Sequence, residues 1–182
     1  VAFLFVPLVF YAIYKTSKIQ KKNNYYPTLL SLATAGLILS HNAISIMFLP
    51  LIILYCIIHV YFSDKKVKLG LYYFSFILLG VGLSSFFLLP AFFEGKYTLR
   101  DIVTGNNEYM DRFVTLFDYI NLSWSFGGSD LLSKQIGTVQ LVGVVISLFF
   151  IKITKGLIRI TSIFFFVALV LGLFIMLPES NF

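Results

Sequence analysis

The chain has 182 residues, of which 59% are hydrophobic and only 12% are charged, and its mean hydropathy is +0.91. Ordinary soluble domains carry about 25% charged and about 45–50% apolar residues, so the composition excludes a typical water-soluble domain. The net charge of +6 would indicate nucleic-acid binding only if the basic residues formed one face of a folded domain. They lie instead in short loops between apolar segments, so we predict the lipid bilayer as partner and no nucleic acid.

The apolar segments, taken in chain order, predict an all-α fold, a polytopic transmembrane bundle of about six helices. A bilayer core of about 30 Å requires about 20 apolar helical residues, which places helices near 1–14, 25–41, 43–62, 69–89, 136–151 and 160–177. The uncharged stretch 25–62 is too long for one span, so the polar pair His41 and Asn42 is expected to divide it as a tight hairpin. The first segment begins at Val1 without an upstream half, so we expect a fragment that forms a single membrane domain over 1–182.

The basic residues are concentrated in three short loops, which predicts the orientation of the helices. Most of the 14 basic residues lie there, namely Lys15, Lys18, Lys21, Lys22, Lys65, Lys66, Lys68, Lys152, Lys155 and Arg159. Of the 8 acidic residues only Asp64 lies in these loops. Short loops rich in Lys and Arg stay cytoplasmic. We therefore predict a multi-pass protein of the cell membrane, with the His41–Asn42 turn and the segment 90–135 on the extracytoplasmic side.

The segment 90–135 is the only long stretch outside the predicted spans, and it is expected to contain one amphipathic helix. Apolar residues recur there at helical spacing, namely Tyr109, Phe113, Leu116, Phe117 and Ile120. Asn107 is a suitable N-cap, and Glu108 and Asp111 are favourably placed against the helix dipole. We therefore predict a helix over 108–120 that lies at the outer membrane surface or packs under a larger external domain.

Two kinds of residue within the spans are predicted to serve structure rather than function. Small residues recur four apart, and such pairs let membrane helices approach closely. These pairs are Gly36 with Ser40, Gly80 with Ser84, and Ala168 with Gly172. His59 lies about one turn from the predicted inner boundary, where the polar tip of a histidine side chain reaches the headgroups. We therefore predict that His59 is a headgroup contact and not a proton relay.

Polar residues near the predicted outer ends of the helices form the candidate binding site, namely His41, Asn42, Glu94 and Arg100. A carboxylate or an imidazole can act as general base towards an acceptor hydroxyl, and a guanidinium can bind a phosphate through two hydrogen bonds. The alternative is that these residues are polar only because helix ends meet water. No spacing matches a metal site, a phosphate-binding glycine loop or a nucleophile triad, so no metal is predicted.

Two stretches around these residues resemble a known family. They are LSHNAISIMFLP at 39–50 and GLSSFFLLPAFFE at 82–94. Together they resemble the membrane proteins catalogued as 6-pyruvoyl-tetrahydropterin synthase-related, which in turn are similar to the GT-C class of polyprenyl-phosphate-dependent glycosyltransferases. The resemblance extends over roughly residues 28–130 and includes Trp124 and Gly127.

The resemblance implies a GT-C-like bundle that transfers a sugar from a polyprenyl-phosphate donor to an acceptor on the extracytoplasmic face. It implies that His41 and Asn42 bind substrate and that Arg100 contacts phosphate. Glu94 would serve in the pocket as a polar group or as a base. The catalytic residue stays unknown, because GT-C enzymes usually carry it in a first external loop that we expect to precede this chain. The lipid-linked sugar would be a substrate, so no cofactor is implied. The alternatives are a non-enzymatic carrier or flippase, or a structural membrane subunit.

The pterin chemistry in the family's label is not expected of this chain. A zinc site of three histidines cannot be built from His41 and His59, which are the 2 histidines of the sequence. The residues alone, without the resemblance, predict a multi-span protein with an outward-facing polar pocket.

Overall fold

A computed structural model describes residues 2–18, 24–94, 113–119 and 136–180 of the chain, and all regular elements in these ranges are helical. The α-helices are α1 (Ala2–Ser17), α2 (Tyr25–Ser40), α3 (Asn42–Tyr61), α4 (Lys66–Leu83), α5 (Ser85–Glu94), α6 (Thr138–Ile153) and α7 (Gly156–Ile175). A short 3-10 helix, Pro178–Ser180, follows α7. The chain divides into two compact units, Val1–Arg100 and Asp101–Phe182, which we call unit 1 and unit 2.

Three of the described helices, α3, α4 and α7, are long and apolar enough to cross a membrane. The 20 residues of α3 rise about 30 Å, which matches the hydrocarbon thickness of a bilayer. The other described α-helices are apolar but shorter, between 10 and 16 residues. The prediction of an all-helical membrane bundle is thus confirmed.

The helix predicted near 69–89 is observed as two helices, because the chain departs from helical geometry at Ser84. The Ser84 hydroxyl donates to the carbonyl oxygen of Gly80 at 3.0 Å. This side-chain bond competes for a carbonyl oxygen that the backbone hydrogen bonds of the helix also use. Backbone hydrogen bonds of helical type nevertheless continue across the break, since Ser84 N donates to Gly80 O at 3.2 Å and Leu88 N donates to Ser84 O at 3.0 Å. We infer that α5 continues in the general direction of α4.

Unit 1 is an up-and-down arrangement of α1 to α4. Helices α2 and α4 run parallel, since Ser31 Oγ on α2 donates to Phe76 O at 2.7 Å and, farther along both helices, Ser84 Oγ donates to Ala35 O at 3.4 Å. Helix α3 returns antiparallel to α2 after the single residue His41. The α1–α2 and α3–α4 connections therefore lie at one end of unit 1, and the α2–α3 turn lies at the other.

Small residues allow the helices of unit 1 to approach closely, as the sequence predicts. A Cβ atom on Gly80 would lie 2.6 Å from the carbonyl oxygen of Ser31 and 2.8 Å from Cβ of Thr34. Gly36 is likewise covered by the ring of Phe5 on α1. In unit 2, by contrast, Gly172 has no described neighbour within 4 Å of the position of its missing Cβ, so the prediction of close packing is confirmed for unit 1 only.

Unit 2 contains the hairpin of α6 and α7, which turns at Thr154 and Lys155. Gly156 begins α7 with a φ of 60°, a conformation that favours glycine. Lys152, Lys155 and Arg159 therefore lie at the turn end of this hairpin.

The described part of the segment 90–135 packs on the other end of α7. Val114 N donates to Met176 O at 2.9 Å, and the Tyr119 hydroxyl donates to Leu173 O at 2.8 Å. Burial raises the pKa of Tyr119, which keeps the hydroxyl protonated as a donor. Residues 113–119 form irregular and turn structure, held by bonds between Thr115 and Asp118, and so differ from the helix predicted over 108–120. The other residues of the predicted helix, 108–112 and 120, lie outside the described ranges.

Candidate functional site

His41 and Asn42 lie at the turn between α2 and α3, and both are exposed. His41 adopts extended backbone geometry with a φ of −165°, and its Nδ1 accepts a hydrogen bond from Ile44 N at 3.3 Å. The ring therefore serves as the N-cap of α3, satisfying one of the backbone donors that a helix start leaves free. Nε2 has no partner among the described residues. The single-residue turn thus presents one imidazole nitrogen and one amide to the surroundings.

Glu94 is the last residue of α5 and is exposed. The bond between Ser84 Oγ and Ala35 O marks a common level of α4 and α2. His41 lies six residues beyond Ala35, a rise of about 9 Å along the helix, and Glu94 lies ten residues beyond Ser84, a rise of about 15 Å. Both residues are therefore at the same end of unit 1, although no hydrogen bond joins them in the described ranges.

The structure thus places three of the four predicted site residues, His41, Asn42 and Glu94, at one end of unit 1. Arg100 lies outside the described residues. An imidazole, an amide and a carboxylate at one end can accept and donate hydrogen bonds to the hydroxyls of a sugar.

The opposite end of unit 1 carries the basic residues. Four of the described lysines there lie over tyrosine rings: Lys15 over Tyr11 and Tyr26, Lys18 over Tyr14, Lys66 over Tyr61 and Lys68 over Tyr72. Their Nζ atoms are 5.3 to 6.0 Å from the ring centroids, which is the range of cation–π attraction. Among the described residues, the two ends of unit 1 therefore differ in charge.

A buried polar cluster near the basic end was not predicted from the sequence. His59 is only 1% exposed, so the prediction that it contacts headgroups is wrong. Its Nδ1 lies 3.0 Å from Ser17 Oγ, which itself donates to Tyr14 O at 2.7 Å. With the serine proton used in that way, Nδ1–H is the donor to Ser17. The buried Nε2 has no hydrogen-bond partner among the described residues.

The sequence contains only a weak indication that His59 is buried. Ile52, Tyr55, Cys56 and His59 follow the spacing of one helix face, and all four are buried. The ring of His59 packs edge-on against Tyr55 with centroids 4.5 Å apart. Because every other face of α3 is also apolar, hydrophobic periodicity does not distinguish the face that meets protein from the faces that meet lipid.

The described residues contain no group of three or more His, Cys, Asp or Glu side chains with the placement to hold a metal ion. The one cysteine, Cys56, is buried and free.

Comparisons with known proteins yield one match. A family model described as "6-pyruvoyl-tetrahydropterin synthase related domain; membrane protein" matches residues 1–182. The comparisons with curated proteins and with solved structures found no match.

Proposed function

Because the chain belongs to the 6-pyruvoyl-tetrahydropterin synthase related family of membrane proteins, we propose that it transfers a sugar from a polyprenyl-phosphate donor on the extracytoplasmic side of the cell membrane. The family assignment itself specifies a membrane protein and no reaction. Residues 39–50 and 82–94 resemble members of this family, and the reaction class is taken from the similarity of the family to GT-C glycosyltransferases.

One observation supports this proposal above the others. The His41–Asn42 turn and Glu94 share the end of unit 1 that is opposite the lysines within residues 2–94. By the rule that basic loops stay cytoplasmic, this end faces outward, where a lipid-linked donor and an external acceptor meet. All three side chains are exposed in the part of the chain that the structure describes.

In the proposed reaction an acceptor hydroxyl attacks the anomeric carbon of the donor sugar. The new bond joins the acceptor oxygen to that carbon, and the bond between the carbon and the phosphate oxygen breaks. Polyprenyl phosphate leaves with the electron pair. Glu94 takes the hydroxyl proton as general base, or binds the sugar if another carboxylate is the base. His41 and Asn42 bind sugar hydroxyls, and Arg100 binds the phosphate.

The experiment is to substitute Glu94→Gln in the full-length protein and to measure incorporation of sugar into surface glycans of the cell that produces it. A general base contributes about 10²–10⁴-fold to rate, so we expect incorporation to fall at least about 100-fold at unchanged expression. Arg100→Ala is expected to act in the same direction.

The matched control is Asp64→Asn, which removes one carboxylate from the α3–α4 connection at the other end of unit 1. It is expected to leave glycan incorporation unchanged. Normal glycans in both the Glu94→Gln and Arg100→Ala cells would contradict the proposed reaction and would favour a structural subunit.

A further inference from the structure

We propose that the groove between α1 and α2 at the basic end of unit 1 binds the headgroup of an anionic phospholipid, through Lys15, Tyr11 and Tyr26. This site lies at the opposite end from the candidate sugar site and does not depend on the proposed reaction.

The three side chains converge across two antiparallel helices. The Nζ atom of Lys15 lies 5.5 Å from the ring centroid of Tyr11 on its own helix and 6.0 Å from that of Tyr26 on α2. The two rings meet edge to face with centroids 6.3 Å apart. The ammonium group is therefore held at the groove by two aromatic faces, with its protons left available for an acceptor.

Among the described residues, Lys15 makes no ion pair with an acidic side chain. The hydroxyls of Tyr11 and Tyr26 have no hydrogen-bond partner among the described residues. Asp64 and Glu94 are the only acidic residues in 2–94, and they lie in the α3–α4 connection and at the far end of α5. One ammonium and two free phenolic hydroxyls match a phosphodiester, which carries negative charge and only accepts hydrogen bonds.

The apolar surface next to the site indicates that the phosphate belongs to a lipid. Leu4, Leu8, Tyr11 and Lys15 follow helical spacing along one face of α1. Leu4 is 65% exposed and Tyr11 is 45% exposed. From Lys15 back to Leu4 the helix rises about 16 Å, close to half of the roughly 30 Å bilayer core. An acyl chain along this face would thus span one leaflet with its headgroup at Lys15.

The test uses the purified protein in detergent, with lipid binding measured by native mass spectrometry. The probes are dioleoyl phosphatidylglycerol and dioleoyl phosphatidylcholine, which share acyl chains and differ in headgroup charge. We expect tighter binding of phosphatidylglycerol, and a loss of about five-fold in its affinity in Lys15→Gln. Lys15→Arg keeps the charge and is expected to retain binding.

The matched control is Lys65→Gln, which removes the same charge at the same end, from a side chain with no tyrosine ring beneath it in the described ranges. We expect it to change the affinity less than two-fold. Should Lys15→Gln not fold, Tyr11→Phe combined with Tyr26→Phe removes only the two hydroxyl donors and is expected to weaken binding about five-fold.

Three results would overturn the proposal. Equal losses in Lys15→Gln and Lys65→Gln would mean diffuse attraction by net charge. Equal affinity for the two lipids would remove the requirement for an anionic headgroup. Displacement of phosphatidylglycerol by inorganic phosphate would identify a site for free phosphate instead of a lipid.

Discussion

Replacing Gly80 with alanine is expected to separate α2 from α4 and to destabilise unit 1. The added methyl group would lie 2.6 Å from Ser31 O and 2.8 Å from Thr34 Cβ, whereas ordinary contacts are 3.4–4 Å. One of these neighbours is backbone, and the other is attached directly to it. The helices must therefore move apart by several tenths of an ångström, because no flexible side-chain end is present to give way.

The magnitude follows from two opposing effects. Overpacking a close interface costs about 1–3 kcal/mol, and separation also weakens the bond from Ser31 Oγ to Phe76 O, 2.7 Å long, which contributes about 0.5–1.5 kcal/mol. Alanine offsets up to about 1 kcal/mol through its higher helix propensity. We expect a net loss of about 1–3 kcal/mol in the free energy of unfolding.

The assay is thermal unfolding in detergent, followed by circular dichroism. For a chain of this size we expect a fall in Tm of roughly 2–4 °C per kcal/mol. Gly82→Ala is the control, since Gly82 lies on the same helix and has nothing within 4 Å of its missing Cβ; it is expected to be neutral or slightly stabilising. Equal Tm values for the two variants would refute the reasoning that α2 and α4 are in contact at Gly80.

Two further predictions concern single hydrogen bonds. His59→Phe keeps a ring against Tyr55 and loses the bond to Ser17, so it should cost about 1 kcal/mol; His59→Ala also leaves a cavity and should cost about 2–5 kcal/mol. Equal thermal stability of the two variants would contradict this placement of the ring. Tyr119→Phe removes the donor to Leu173 O and should increase amide hydrogen exchange over 113–119, while unchanged protection would show that this bond does not hold the segment to α7.

The architecture follows from the sequence to a large extent, because span length and charge-poor composition are strong constraints in a membrane protein. The hairpin at His41 and Asn42 is an example, because these two polar residues interrupt the apolar stretch 25–62 and so identify where that stretch turns. The close contact at Gly80 was also predicted, since small residues determine where membrane helices meet.

The features that were not predicted lie in segments that are apolar on all faces, where hydrophobic periodicity gives no information. The break at Ser84, whose hydroxyl donates to Gly80 O, lies within a segment that is otherwise continuous and apolar, so the composition does not mark it. The burial of His59 depends on which face of α3 meets α1, a choice that hydrophobic periodicity cannot make when all faces are apolar. Asn42 and Glu94, by contrast, were predicted on one side of the membrane from the positions of the basic loops, and the parallel course of α2 and α4 indicates that both lie at one end of unit 1.

We propose that the His41–Asn42 turn and the lysine-bearing connections face opposite sides of the membrane. The most direct test labels single cysteines in intact cells with a membrane-impermeant maleimide. Cys56 is buried and should contribute little background. We expect Ala43→Cys and Leu116→Cys to react from outside, and Lys66→Cys and Lys155→Cys to react only after permeabilisation. Labelling of Ala43→Cys and Lys66→Cys from the same side would contradict this orientation.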